Sequence, residues 1–286
     1  MRFLVCVVAG VASCAAYHGV AIACAIPELS SDDSVEALVV QLSSSESNQR
    51  NEAREGLLSL GAAAVPSLID ATTSSSALLR WEAVNLLGTL GDLRATDAVL
   101  FLAISDPDVH VRWRSNWAIT NLDDGSVIPR LVAGLAEVDD PAIAWNCAVT
   151  LSLFEVRDAV PILHTGITAS DWRQWEAVNA LGRVWIDETV LLLIPVLEEG
   201  SENVRKEAAL SLGRIGGAEA LDALLGAVGS DPSAEVRWRA AMMIGSIGDP
   251  GAMPRLLEAR PGETVPFVIE HIDSAIERLS RVSESG

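Results

Sequence analysis

The sequence predicts an all-α fold, a right-handed α-solenoid of about eight stacked helix pairs, and three observations predict it. Arg80-Trp-Glu-Ala-Val-Asn-Leu-Leu-Gly88 returns almost intact as Gln174-Trp-Glu-Ala-Val-Asn-Ala-Leu-Gly182, so one unit is being reused. Hanging each segment from its Leu-Gly or equivalent pair brings Val204-Arg-Lys-Glu-Ala-Ala-Leu-Ser-Leu-Gly213 and Val236-Arg-Trp-Arg-Ala-Ala-Met-Met-Ile-Gly245 into register. Val111-Arg-Trp-Arg-Ser-Asn-Trp-Ala-Ile119 and Ala144-Trp-Asn-Cys-Ala-Val-Thr-Leu151 align less perfectly. The residue after the Arg position is then Trp81, Trp113, Trp145, Trp175, Lys206 and Trp238, in steps of 32, 32, 30, 31 and 32 residues. A fixed period of that size marks a solenoid. Finally, Pro66, Pro129, Pro161, Pro195 and Pro254 recur at one place in the intervening segments, where a proline in the first turns of a helix is tolerated or bends it.

Taken in order, residues 1–25 read as a secretory leader: Arg2, an apolar run from Phe3 to Ala16, then Ala21-Ile-Ala-Cys-Ala-Ile-Pro27 with cleavage after Ala23 or Ala25. Cys14 and Cys24 each end a lipobox-like tetrapeptide. Plain secretion therefore stands beside a lipid anchor at Cys24 and an uncleaved membrane anchor, and all three place the chain outside the cytoplasm, in the periplasm, on the cell surface or in the medium. Residues 26–33 form a short linker, 34–280 the solenoid and 281–286 a polar tail. The first helix covers 34–42. Outer helices follow at 63–74, 94–105, 125–137, 156–169, 187–199, 217–229 and 250–258. The Val-Arg helices fall at 48–61, 76–89, 108–121, 140–154, 170–184, 201–214 and 233–246, with a divergent last one at 263–280.

Asp106, Asp140, Asp171 and Asp231 precede Val-Arg helices as N-caps. The end repeats are atypical, the first with Arg54 in the place of Trp and the last without a Leu-Gly ending, as expected of capping repeats. At about 100° per residue, Val204, Ala208, Leu212 and Ile215 share one stripe, as do Leu79, Ala83, Leu87 and Leu90, whereas the Trp position lies on the far side. A column of tryptophans thus stands away from the intra-repeat core.

Composition excludes some functions. With 39 acidic and 20 basic residues the formal charge is −19, which argues against a phosphate-backbone binder and favours cationic partners. Lys206 is the only lysine. Three of four cysteines lie in the leader and Cys147 replaces a core Ala, so no disulfide framework is expected in the repeats. His18, His110, His164 and His271 are scattered, and no P-loop, paired-cysteine or Gly-x-Ser-x-Gly motif occurs. Asp123-Asp124 and Asp139-Asp140 read as turns and caps rather than a calcium loop. No catalytic residue, metal or cofactor is expected.

Asp106-Pro-Asp-Val-His-Val-Arg-Trp113 and Asp231-Pro-Ser-Ala-Glu-Val-Arg-Trp238, each opening a helix, resemble the HEAT-like repeats first associated with phycobilisome lyases, over roughly residues 32–260. That resemblance implies that the Val-Arg helix lines a concave face, that the position after the Arg is used for ligand contact, and that Arg80, Arg112, Arg205 and Arg237 bond to acids of adjoining repeats, with anion binding by these arginines as the second reading. Trp81 with Asn85, Trp117 with Asn121 and Trp175 with Asn179 form a Trp-x-x-x-Asn pattern similar to the ladder of the importin alpha armadillo repeats. There, indoles sandwich the side chains of an extended basic peptide and amides clamp its backbone, which suits the chemistry of both groups. The expectation is a non-enzymatic exported scaffold binding a protein or a cationic, extended peptide through Trp81, Asn85, Trp113, Trp117, Asn121, Trp145, Trp175, Asn179 and Trp238. It has no nucleic-acid partner, and meets a membrane only through its leader or anchor. A bilin-lyase-like enzyme and a glycan-binding solenoid are the alternatives.

Overall fold

The computed structural model describes residues 31–137 and 139–285, so the leader, the candidate lipidation site Cys24 and most of the linker lie outside the described residues. Among those described, the chain forms sixteen α-helices and no strand, in eight pairs. The pairs are α1 (Ser31–Gln41) with α2 (Ser47–Leu60), α3 (Val65–Ala71) with α4 (Ala77–Leu90), α5 (Thr96–Ser105) with α6 (Val109–Leu122), and α7 (Val127–Glu137) with α8 (Pro141–Ser152). They continue with α9 (Val160–Ile167) and α10 (Trp172–Val184), α11 (Asp187–Glu199) and α12 (Glu202–Ile215), α13 (Ala218–Ser230) and α14 (Ala234–Ile247), and α15 (Met253–Ala259) and α16 (Pro266–Ser285). The even-numbered helices form the inner row. The polar tail expected at 281–286 instead prolongs α16 as far as Ser285.

Local chemistry sets the helix ends. The Ser76 hydroxyl accepts from the Leu79 amide to open α4, and Gly91, at φ +67°, closes it in the left-handed region that glycine enters without penalty. The inward stripe behaves as its spacing predicts: Ala83, Leu87, Ala208 and Leu212 are fully buried in a core that runs the length of the stack. Cys147 is part of that core, and burial raises its thiol pKa to about 11.

Consecutive inner helices pack directly, α4 on α6, α10 on α12, α12 on α14 and α14 on α16. The glycine that ends each Leu-Gly pair makes this possible. A Cβ at Gly88 would stand 2.7 Å from the Ala118 Cβ, one at Gly182 2.5 Å from the Ser211 Cβ and one at Gly213 2.3 Å from the Met243 Cβ. Thr120 and Ser152 occupy the same column in the two middle repeats, and there the row changes. Helix α8 sits back toward the outer row, packed on α5, α7, α9 and α10, with Asn146 donating to the Ile104 carbonyl of α5 at 2.8 Å.

The arginine ladder is present. In Arg80, Nε and Nη2 grip Asp106 at 2.6 and 2.8 Å; Arg205 holds Asp231 at 2.8 and 3.0 Å, and Arg237 holds Glu263 at 2.6 and 3.1 Å. In each case the acid lies 26 residues on, while Nη1 donates to a carbonyl of the loop just before the helix. Asp106 and Asp231 are therefore ladder acceptors rather than caps; Asp108 caps α6, whereas Asp140 and Asp171 cap α8 and α10 as expected. The first repeat is also in a different register from the one its sequence suggests. Arg50 donates from Nη1 to the Ser44 and Ser45 carbonyls at 2.7 and 2.9 Å, as Arg80 does to Ser74 and Ser75, so Asn51 and not Arg54 stands in the tryptophan position. Arg54 instead pairs with buried Glu82 of the next inner helix, Nε to Oε2 at 2.7 Å.

Two stability predictions follow from the packing and the ladder. Replacing Gly182 by Ala drives a methyl onto α12 and should cost about 1–3 kcal/mol despite alanine's better helix propensity. Gly226→Ala on α13, with open space around its Cβ, should gain about 0.5–1 kcal/mol; thermal midpoints moving the same way in both variants would refute the account. The Arg237 guanidinium, helped by the Val265 and Thr264 amides, holds the Glu263 carboxyl down at about 2. A depressed carboxyl contributes its full stability above its unfolded value and loses it as pH falls through the folded one. The melting-temperature gap between the parent and Glu263→Gln should accordingly be constant near neutrality and close between about pH 4.5 and 2; a gap unchanged at the acid end would show that the ion pair does not form.

Candidate functional site

The residue two past the ladder position, which is Ala144 in α8 and Gln174 in α10 and arginine in the others, is polar in every inner helix from α4 to α14: Glu82, Arg114, Asn146, Glu176, Glu207 and Arg239. It turns toward the neighbouring helices and decides what each tryptophan does. Glu82, Glu176 and Glu207 are buried at 1, 8 and 7% exposure, so each carboxylate needs internal donors. Glu176 finds them in two indoles, Trp145 Nε1 donating to Oε2 at 2.6 Å and Trp113 Nε1 to Oε1 at 3.3 Å. Glu207 accepts from Asn179 Nδ2 at 2.7 Å and from Arg214 Nη1 at 3.4 Å.

The tryptophans therefore do not form one uniform open column. Trp145 is sealed at 6% exposure, its ring filling the space that Gly166 of α9 leaves, since a Cβ there would lie 2.3 Å from the indole. Because α8 is set back, its indole enters the core instead of facing outward, and the expectation of a contact residue at Trp145 is overturned. Trp81 and Trp117 flank the Arg114 guanidinium, which lies 4.6 and 4.9 Å from their ring centroids. Trp238 carries Arg239 at 4.3 Å and His271 at 4.8 Å, and its Nε1 donates to Glu235 at 3.1 Å. The cation-attracting faces that the sequence suggested for a visiting basic peptide thus already hold side chains of this chain. Of the three Asn expected to clamp a backbone, Asn179 has its amide on Glu207, Asn85 is half-buried and Asn121 is exposed near the end of α6.

What stays open is centred on Trp113 and Trp175. Trp113 is 46% exposed, edge-on to His110 and 6.3 Å from Trp175, so α6 and α10 meet across the face from which α8 has withdrawn. Together with Trp172, which is half exposed and packs edge-on against Trp145, they wall a hollow of about 940 Å³ bounded by α6, α10, α12 and α14. Its polar groups include Ser170, Gln174, Ser201 and Asn203, the cations Arg112, Lys206 and Arg239, and the acids Asp171, Glu176 and Glu207. Asp171 is held below the usual carboxylate range by the Arg173 guanidinium, and Glu235 beside the hollow likewise by Arg239 and the Trp238 indole. Such a site offers flat apolar walls for stacking together with donors at its rim.

The sequence reading missed Trp172, which has no counterpart in the other repeats, and Arg239; it placed Arg112 in the ladder and Lys206 in the tryptophan column without bringing them together in one hollow. It also missed the buried carboxylates, although a polar residue recurring beside the apolar stripe was visible. Among the described residues no group of three His, Cys, Asp or Glu side chains is placed to hold a metal ion. No described helix is long and apolar enough to cross a membrane.

A family model described as HEAT repeats matches residues 65–152 and 190–276, more than half of the chain. Between the two regions lies the stretch carrying Trp172, Trp175 and Glu176. No curated protein matches the sequence. Among solved structures, the chain is similar to the Escherichia coli protein YibA with a TM-score of 0.54 and 19% identity, over 88% of this chain and 93% of that one. The likeness shows the fold. Human deoxyhypusine hydroxylase in complex with glycerol matches with a TM-score of 0.39 at 22% identity, over 87% of this chain and 97% of that one. The complex of CpcE and CpcF of phycocyanin lyase from Nostoc matches at 0.47 and 19%, over 77% and 92%.

The double indole clamp on Glu176 is directly testable. Trp145→Phe keeps most of the ring but deletes one donor, and should cost about 1–3 kcal/mol. A double-mutant cycle with Glu176→Gln, read by thermal unfolding, should show a coupling of about 1 kcal/mol; strict additivity would mean that the bond contributes nothing.

Proposed function

The chain belongs to the HEAT-repeat family, and we propose that it is a non-enzymatic binding scaffold whose inner face takes an extended protein segment. The observation that carries this reading is the hollow of about 940 Å³ spanning α6 to α14, walled by Trp113, Trp172 and Trp175. Large, stiff aromatic side chains in a partly enclosed depression are the common anchors of protein recognition, because they supply contact area at little entropic cost. Stacked helices stand about 8–10 Å apart and an extended chain advances about 3.3 Å per residue, so each repeat addresses about three residues of a segment laid across the row. The amides and hydroxyls of Gln174, Asn203, Ser170 and Ser201 are suited to a peptide backbone.

Randomised extended peptides selected on the immobilised protein should bind with a shift in tryptophan emission. Affinity should fall at least about tenfold in Trp172→Ala and further in the Trp113→Ala, Trp175→Ala double variant, with circular dichroism unchanged. Trp185→Ala is the control, since Trp185 is 59% exposed at the end of α10 and does not line the hollow. Equal loss in the control, or selection of oligosaccharides and not peptides from a parallel array, would overturn the reading.

A further inference from the structure

Three of the ladder arginines show what their Nε–Nη2 edge is built to hold: Asp106, Asp231 and Glu263, each gripped through both donors at 2.6–3.1 Å. Arg112 is the fourth copy. Its Nη1 is anchored as in the others, donating to the Asp106 and Pro107 carbonyls at 2.8 and 3.3 Å. Since a guanidinium is planar and rigid, fixing one nitrogen constrains where the opposite edge points. The residue 26 positions on, however, is Val138, and among the described residues no carboxylate lies within ion-pair distance of Arg112. Arg112 lines both the hollow of about 940 Å³ and a neighbouring one of about 970 Å³.

The carboxylates around it are otherwise engaged. Asp106 is bonded to Arg80, Asp140 caps α8 through the Ala142 amide, Asp171 is bonded to Arg173, Glu176 to two indoles, and Glu207 to Asn179 and Arg214. Lys206, the one lysine of the chain, lines the same hollow; its ion pair is with exposed Glu202 at 3.9 Å, and its charge also reaches Glu235, which is itself bonded to Arg239 and the Trp238 indole. In a molecule of net charge −19, the uncommitted charged groups of this hollow are therefore cationic donors.

We infer that the Arg112 fork takes a carboxylate side chain of an acidic, extended segment of a partner protein, completing in trans a ladder rung for which the described residues supply no acid. The adjoining Trp113–Trp175 wall receives an apolar side chain next to that acid, and Lys206 faces a second acidic residue. This rests on the binding role proposed above, and names its ligand as acidic where the sequence alone suggested a basic one.

The test uses terminally blocked peptides of alternating Glu and Leu, about twelve residues long, against counterparts with Gln, Lys or phosphoserine in place of Glu, and an otherwise neutral peptide ending in a free carboxylate. The Glu peptide should bind about tenfold more tightly than the Gln peptide. That preference should vanish in Arg112→Met and be only partly kept in Arg112→Lys, which retains charge but not the fork. Val138→Asp leaves every arginine in place and puts an acid 26 residues after Arg112, the sequence spacing of the other rungs, so it should raise the melting temperature and remove the preference together, a result that a folding defect cannot imitate. A Gln peptide that binds as well as the Glu peptide, a better Lys or phosphoserine peptide, preference for the free terminus alone, or a Glu preference surviving Val138→Asp would each overturn the assignment. In those cases, binding that still depends on Trp113 and Trp175 leaves the scaffold role standing. Absence of tryptophan-dependent binding by any peptide would bring down both.

Discussion

The close approach of consecutive inner helices is the constraint on which the rest of the structure depends. Glycine at positions 88, 182 and 213 lets the next helix sit where a methyl group would otherwise stand. Arg80, Arg205 and Arg237 each tie the loop before their own helix to an acid 26 residues later, so the two devices fix the same spacing. One removes bulk and the other adds directed bonds. The acid partners Asp106, Asp231 and Glu263 lie almost wholly out of solvent. Such pairs add little beyond an apolar contact of the same shape, yet losing one member strands a charge at a cost of about 3–5 kcal/mol. They therefore act as register marks in a stack where every repeat feels only its neighbours.

Charge is distributed in a way that the total conceals. The chain is strongly acidic, but many of its carboxylates are internal acceptors: Glu82 for Arg54, Glu176 for two indoles, Glu207 for an amide and a guanidinium. Two guanidiniums, those of Arg114 and Arg239, lie on tryptophan faces. Around the inner hollow the acids are satisfied and the spare donors are basic. Composition describes the field felt at a distance, which salt screens within about 8–10 Å; it does not describe what a ligand meets on contact.

Most of the architecture was legible because it is periodic. The repeat length, the helix pairs, the inward stripe, the proline phase and the buried Cys147 all follow from local patterns that recur, and the ladder followed from the resemblance those patterns carry. What could not be read depends on how repeats meet. Arg54 occupied the tryptophan position in an alignment by Leu-Gly pairs, yet the carbonyls that Arg50 engages put the register elsewhere. Asp106 and Asp231 look like caps from their sequence positions and serve as acceptors for arginines on the preceding inner helix. Trp145 belongs to the tryptophan column by spacing but to the core by packing, because its helix has moved. A trace of that movement was present in the sequence, in Thr120 and Ser152 where glycine stands in the other copies.

That displaced helix also divides the molecule mechanically. Tight glycine-mediated contacts join α4 to α6 on one side and α10 through α14 on the other, whereas the step between α6 and α10 is bridged mainly by α8 from behind and by Trp113 reaching Glu176 from in front. An elastic rod with one compliant joint stretches there first, and a force–extension trace would register two blocks parting before either unravels. The aromatic hollow lies across that joint, so whatever fills it splints the two halves together.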